Sequence, residues 1–286
     1  MKIIISLLTG LLIIQGTVLA QTKEAMSAES VIETVIKKTG AKPITGTVDV
    51  IKAGDPQAKV TGIVVCMFAT MDVLKTAVEH KCNLIIAHEP LFYNHLDETK
   101  SFADDPVYLD KKKFIDENKL VIWRFHDYIH SMKPDGISKG MAIKLRWENY
   151  SSGGSLNSFI LPETTLGELV SYLKKIFPGQ SFNVVGDPSM KVSRVAFAEG
   201  APGSAVHFFI LRDKNTDVLI GGEVPQWETY EYVRDAVLQG KHKAAIFLGH
   251  IPSEDAGMEY AAQWIKTFIT GVPVAFVDCG PSYTTY

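Results

Sequence analysis

Asn83-Leu84-Ile85-Ile86-Ala87-His88-Glu89-Pro90 is a four-residue apolar run that stops abruptly at an imidazole, a carboxylate and a proline. A run this short, with no polar alternation, fits a strand buried on both faces, as in a parallel sheet covered by helices. Upstream lie a second apolar run, 63–68, and a stretch of helical periodicity at 72–80. Downstream, a helical pattern at 110–117 leads into the apolar run 120–123. The order strand, helix, strand, helix, strand predicts an α/β fold.

Working outward, residues 30–38 have helical spacing, and Ser151-Ser152-Gly153-Gly154 marks a turn where a second lobe starts. Thr164 or Thr165 caps a helix over 166–176 that Pro178-Gly179 stops. Strands are expected at 182–185, 192–197, 206–211 and 218–220, then a helix at 229–239. A strand at 244–248, a long helix from Pro252 to about residue 269, and a strand at 272–277 close the chain. The expected organisation is a signal peptide (1–20), an N-terminal α/β lobe (21–150) and a second α/β lobe (151–286) whose last strand–helix unit returns to the site.

The signal peptide rests on Lys2, the apolar run 3–14 and the small-residue end Val18-Leu19-Ala20. It predicts a periplasmic or secreted protein with no membrane association after cleavage. The 286 residues, 46% hydrophobic and 21% charged, have a globular composition; 29 Lys and Arg against 32 Asp and Glu, with no basic run, argue against a nucleic-acid partner. Three cysteines, Cys66, Cys82 and Cys279, form no C-x-x-C pair and allow at most one disulfide within the chain, and Cys66, inside an apolar run, reads as a buried side chain.

In open α/β sheets, ligands bind beyond the carboxyl ends of strands. Three apolar runs end in histidines: 84–87 in His88-Glu89, 120–123 in Arg124-Phe125-His126-Asp127-Tyr128-Ile129-His130, and 245–248 in Gly249-His250, with Glu254 four residues on. With His95, five of the eight histidines sit at such ends, a density that favours ligands over isolated hydrogen-bonded loop residues. Imidazole and carboxylate suit zinc, manganese, iron or nickel, and the supply is enough for two divalent ions sharing a bridging carboxylate. His80 and His242 read as solvent-facing, His207 as packed within a strand, and Trp147 and Trp264 as packing residues.

At these clusters the chain resembles the Nif-three-like dinuclear metal centre family, also called GTP cyclohydrolase I type 2 homologues. The likeness runs through Asn83 to Leu91, Val184-Val185-Gly186-Asp187, Arg194-Val195-Ala196, Asp217 to Glu223, and Gly249 to Glu254 with Gly257. The family carries H-H-P, H-T-N-x-D and G-H-x-x-x-E at the three clusters; here the second histidine is Glu89 and the aspartate is His130. The exchange keeps one imidazole and one carboxylate. The resemblance therefore implies metal ligands His88, His250 and Glu254, with Glu89 and His130 at the departing positions, and Glu254 or Glu89 bridging. His126 and Glu223 match positions beside the ligands or facing substrate.

The resemblance also implies two interlocked α/β lobes with mixed, largely parallel sheets covered by helices, and dimers assembling into a hexameric ring. A metal-dependent hydrolase of unknown small-molecule substrate follows, with Glu89 or His126 moving the proton. Export argues against a cytoplasmic GTP substrate. The alternative is a non-catalytic metal-binding or scaffold protein. A third reading, a nucleotide-binding module, has little support: no G-x-x-x-x-G-K-[ST] occurs, and residues 200–204 are only a weak turn-forming stretch.

Overall fold

The computed structural model describes residues 26–284; the expected signal peptide lies outside them. Helix α1 (Ala28–Thr39) starts at Ser27, whose hydroxyl accepts from the Ser30 amide, and ends at Gly40. There follow β1 (Ile51–Ala53), β2 (Ile63–Cys66), α2 (Met71–Glu79, capped by Thr70), β3 (Leu84–Ala87), α3 (Pro106–Glu117, capped by Asp105), β4 (Val121–Arg124), the one-turn α4 (Asp127–His130) and α5 (Gly136–Lys144). The second half contributes β5 (Ser151–Ser152), β6 (Ser155–Thr165), α6 (Leu166–Ile176), β7 (Asn183–Val185), β8 (Lys191–Ala198), α7 (Ser204–Arg212), β9 (Val218–Gly221), α8 (Glu231–Leu238), β10 (Ala244–Phe247), α9 (His250–Lys266) and β11 (Val274–Phe276).

Two sheets result, in the orders β1-β4-β3-β2-β11 and β5-β6-β8-β9-β10-β7. In the first, β4, β3, β2 and β11 are parallel and β1 is antiparallel at the edge. In the second, β8, β9 and β10 form a parallel centre between antiparallel neighbours.

The uniform apolarity of β2, β3 and β4 has a direct physical cause. Successive side chains point to opposite faces, and each face has its own cover: Ile63, Val65, Leu84, Ile86 and Val121 pack with α1 and α9, while Val64, Cys66, Ile85 and Ile122 pack with Val73, Leu74 and Ile115 of α2 and α3. Each such side chain contributes about 1.5–3 kcal/mol by leaving water, so neither face tolerates a polar alternation. The second sheet is covered the same way, by α6 on one face and by α7 and α8 on the other.

The two layers interlock through α5 and α9. Helix α9 leaves β10 of the second sheet, yet its Met258, Ala261, Ala262 and Ile265 join the core of the first. Ala256 of α9 and Met141 and Ala142 of α5 join the core of the second. The helices touch almost backbone to backbone: a Cβ on Gly140 would lie 2.2 Å from the Ala256 carbonyl oxygen, and one on Gly257 would lie 2.5 Å from the Ile137 Cα. Strand β11 then pairs with β2, so the chain's last helix and strand complete the first sheet.

One expected element is corrected. Residues 206–211 form helix α7, not a strand. Because β8 and β9 are parallel, the chain needs a crossover between them, and Ser204, His207 and Leu211 fall on one helical face, all buried, while Phe209 is exposed. His207 is packed as expected, on that helix, with Nδ1 3.2 Å from the Thr229 hydroxyl. Strands β1 and β6 and helices α4 and α5 had no counterpart in the sequence reading. The Ser-Ser-Gly-Gly boundary is a hairpin turn inside the second sheet, with Gly153 and Gly154 at φ 62° and 78°.

Candidate metal centre

The carboxyl ends of β3, β4, β8, β9 and β10 converge. Strand β3 ends in His88, fully buried, and Glu89, whose amides bond back to the turn after β2. Strand β4 ends at Arg124, and buried Asp49 then nucleates α4: its carboxylate accepts from the amides of His126, Asp127 and Tyr128 at 2.8–2.9 Å. That single helical turn places His126 and His130 on one side, four residues apart. Gly249, at φ 93°, turns the chain out of β10 into α9, so His250 and Glu254 lie one turn apart on its first face. Gly200, after β8, is so close that a Cβ there would meet Glu254 Oε1 at 2.5 Å.

The structure brings together all five residues expected as ligands, and His126 as well. His250 Nε2 is 3.2 Å from Glu89 Oε1 and 3.1 Å from Glu254 Oε2, and His88 Nε2 is 3.6 Å from Glu254 Oε2. Glu89 Oε1 is 4.0 Å from Nε2 of both His88 and His126. Two overlapping groups have donor atoms within 4.8 Å of one another: His88, His126 and His130, and His88, Glu89 and Glu254. The rings of His88, His126 and His130 lie with centroids 4.7–5.2 Å apart. His95, exposed on its loop, belongs to neither group, although its ring stands edge-on to that of His126 with centroids 6.0 Å apart.

All four imidazoles are oriented alike. Nδ1 of His88 is 3.1 Å from the Phe125 carbonyl, that of His126 2.9 Å from Asp127, that of His130 2.8 Å from Asp135, and that of His250 3.1 Å from Glu223. Each Nδ1–H donates outward, which turns each Nε2 to the centre, where a ring that gives up its Nε2 proton would present a lone pair to a cation. His88 Nε2 and Glu254 Oε2 are buried without an aligned hydrogen-bond donor or acceptor. Buried polar atoms left in that state are costly, and a divalent cation would satisfy both. The donor set fits borderline transition metals; no cysteine takes part.

Electrostatics agree with that geometry. Burial works to raise the Glu254 carboxyl, but the charges of His88 and His250 hold it well below the carboxylate range. Glu89 is likewise lowered against its burial, chiefly by His250, and Arg124 Nη2 supports its other oxygen at 3.4 Å. Burial opposes protonation of His250 and His130, yet Glu254 and Glu89 raise the first to about 10 and Asp135 raises the second to about 9. His126 is pushed down to about 4 by burial and by the charges of His88 and His130.

Residues that sequence reasoning missed are Asp49, Asp135 and Glu199. Burial raises the Glu199 carboxyl to about 7 against a 2.8 Å hydrogen bond from the Ser138 hydroxyl, and with His126 and His130 it lines a cavity of about 440 Å³. Cavities of about 560 and 630 Å³ also reach His250, so the centre is open to small molecules.

Residues 47–281 match a family described as Duf34/NIF3 (NGG1p interacting factor 3). A GTP cyclohydrolase 1 type 2 homolog of Clostridium acetobutylicum is 27% identical over 216 residues, 71% of this chain and 76% of that protein. One from Mycoplasmopsis pulmonis is 32% identical over 149 residues, 50% of this chain and 57% of that protein. Among solved structures, Staphylococcus aureus hypothetical protein SA1388 superposes with a TM-score of 0.70 at 16% identity, covering 92% of this chain and 100% of that one. Reduced HcgD from Methanocaldococcus jannaschii gives 0.59 at 16% identity, covering 87% and 96%. At such identity the likeness concerns the fold.

Proposed function

The chain belongs to the Duf34/NIF3 family, and on that premise we propose that its histidine and glutamate cluster holds two divalent transition-metal ions and hydrolyses a small-molecule substrate. The observation that carries the reading is the common orientation of four imidazoles, each with Nδ1 tied to an oxygen and Nε2 turned inward. His250, Glu89 and Glu254 would serve one ion; His88, His126 and His130 would serve the other. Glu89 and Glu254 also lie 4.0 and 3.6 Å from His88 Nε2 of the other set, so either carboxylate would be within reach of both ions. Zinc, manganese, iron and nickel all suit these donors.

Bound divalent ions supply Lewis acidity, which acidifies water and polarises the oxygen of the bond attacked. The chain's own groups handle the proton. With Glu89 and His126 drawn toward metal, Glu199, a carboxyl raised to about 7 in the cavity that His126 and His130 line, is a suitable acid or base. The relatives' name points to a GTP ring-opening activity, but a signal peptide over residues 1–20 would take this protein to the periplasm or outside the cell, away from cytoplasmic GTP. The same reading includes a homo-oligomer.

Purified protein, loaded in turn with zinc, manganese, iron and nickel, is screened against phosphoester, amide and cyclic amidine substrates. Metal-dependent turnover that disappears in His250→Ala is expected. Bound metal with no turnover on any class would leave the alternative, a metal-binding or scaffold protein.

A further inference from the structure

Lys111 has no part in the centre described above, yet it shares a cavity with it. It lies on α3 with a relative exposure of 7%. Its ammonium donates one hydrogen bond, 2.8 Å to the Leu91 carbonyl, and stands 5.5 Å from the centroid of the Tyr93 ring. None of the ion pairs among the described residues includes it. A buried ammonium with one neutral acceptor is an expensive arrangement, and burial pulls its pKa down to about 8 against the charge of Asp97, which is itself paired with Lys52. A methionine would fill the same space without that cost, so packing alone gives no reason for an amine here.

The cavity beside it has a volume of about 630 Å³, within the range of small-molecule sites. Glu89 and His250 line one part of it, Lys111 another, and Phe68, Met71 and Tyr93 add apolar wall. We propose that Lys111 is the anion anchor of this cavity, and that its ligand is a small organic acid. The ligand's apolar or aromatic body lies along Phe68, Met71 and Tyr93, and its carboxylate or phosphate rests on the Lys111 ammonium. Its reacting group turns to Glu89 and His250, a placement that rests on the hydrolytic reading; binding itself does not.

The test uses three probes: 3-phenylpropionate, phenyl phosphate and the neutral isostere 3-phenylpropionamide. Their binding to metal-depleted and metal-loaded protein is followed by calorimetry, in the wild type and in Lys111→Met. At least one of the two anions is expected to bind about ten- to hundredfold more tightly than the amide, the worth of a charge-assisted hydrogen bond. That preference should hold in both metal states and vanish in Lys111→Met. The tighter of the two anions identifies the headgroup.

Equal affinity of acid and amide for the wild type overturns the proposal without any variant, as does binding of none of the probes. Retention of the preference in Lys111→Met overturns it too. Anion binding confined to the metal-loaded protein would place the anion on the ions and not on the lysine. A protein that holds no metal but keeps the preference would sink only the hydrolytic reading.

Discussion

His88 donates through Nδ1 to a backbone carbonyl, whereas His126, His130 and His250 donate to Asp127, Asp135 and Glu223. Those carboxylates lie one shell out, and removing such a partner typically weakens metal affinity about 10- to 100-fold. Asp135→Asn should therefore lose about that much in competition against a chelator, with the fold intact by circular dichroism; unchanged affinity would mean that His130 is not a ligand. Protons compete for the same nitrogens. In the metal-free protein His250 titrates near 10 and His130 near 9, both above the ordinary 6.5. Stabilisation from the protonated rings is complete below pH 6.5 and is lost as pH rises through 9 and 10, whereas metal affinity rises over that same window. Loading at pH 7 should release about two protons, read as a dependence of calorimetric heat on buffer ionisation enthalpy. The residues brought together at the centre were legible because each sits where an apolar run stops. Asp49 and Asp135 were not, since a lone acid in a loop carries no spacing signal until the fold sets it against a helix end or an imidazole; Glu199 directly follows the strand β8 but has no histidine beside it to mark it.

At the scale of elements, α9 carries His250 and Glu254 and is positioned by its crossing with α5. Gly257→Val would force the two backbones apart, because even a Cβ would approach Ile137 Cα to 2.5 Å. Overpacking of this kind costs about 1–3 kcal/mol, seen as a lower urea midpoint, and metal content should fall with it. The contrast is Thr165→Ala on α6, which removes a capping box with Glu168. It should cost about 0.5–2 kcal/mol and leave metal content unchanged. Equal metal loss in both variants would break the link between the helix crossing and the centre. Helix α6 was readable from its caps and period. Helix α7 was misread because Val206, His207, Phe208, Phe209 and Ile210 have strand-like composition; the buried face Ser204, His207, Leu211 has helical spacing but begins with a serine, which hid the period. The long strand β6 was missed because its outward Ile160 is exposed between buried Phe159 and Leu161, so apolarity did not mark the faces.

Across the whole molecule, the centre joins groups from the first sheet, His88, Glu89 and His126, to groups that follow the second, His250 and Glu254. Metal bound only by the folded chain adds to its stability by about 2.7 kcal/mol at a hundredfold excess over Kd. Chelation should therefore lower the melting temperature, with hydrogen exchange rising first in α4 and the start of α9. An unchanged melting curve would disconnect the site from the junction between layers. The alternation of strands and helices made the α/β class readable, and the last strand–helix unit was expected at the site, but the pairing of β11 with β2 of the first sheet was not readable. That pairing lies between residues 63–65 and 274–276, and no local pattern encodes a contact so distant in sequence.

The most direct measurement is elemental analysis of protein purified without chelator or metal-affinity resin, beside the double variant His88→Ala/His250→Ala and the single variant Glu254→Ala. The account predicts about two equivalents of a divalent transition metal in the wild type, as expected of paired-ion sites, and their loss in both variants. A wild type that remains free of metal after incubation with zinc, manganese, iron and nickel would contradict it.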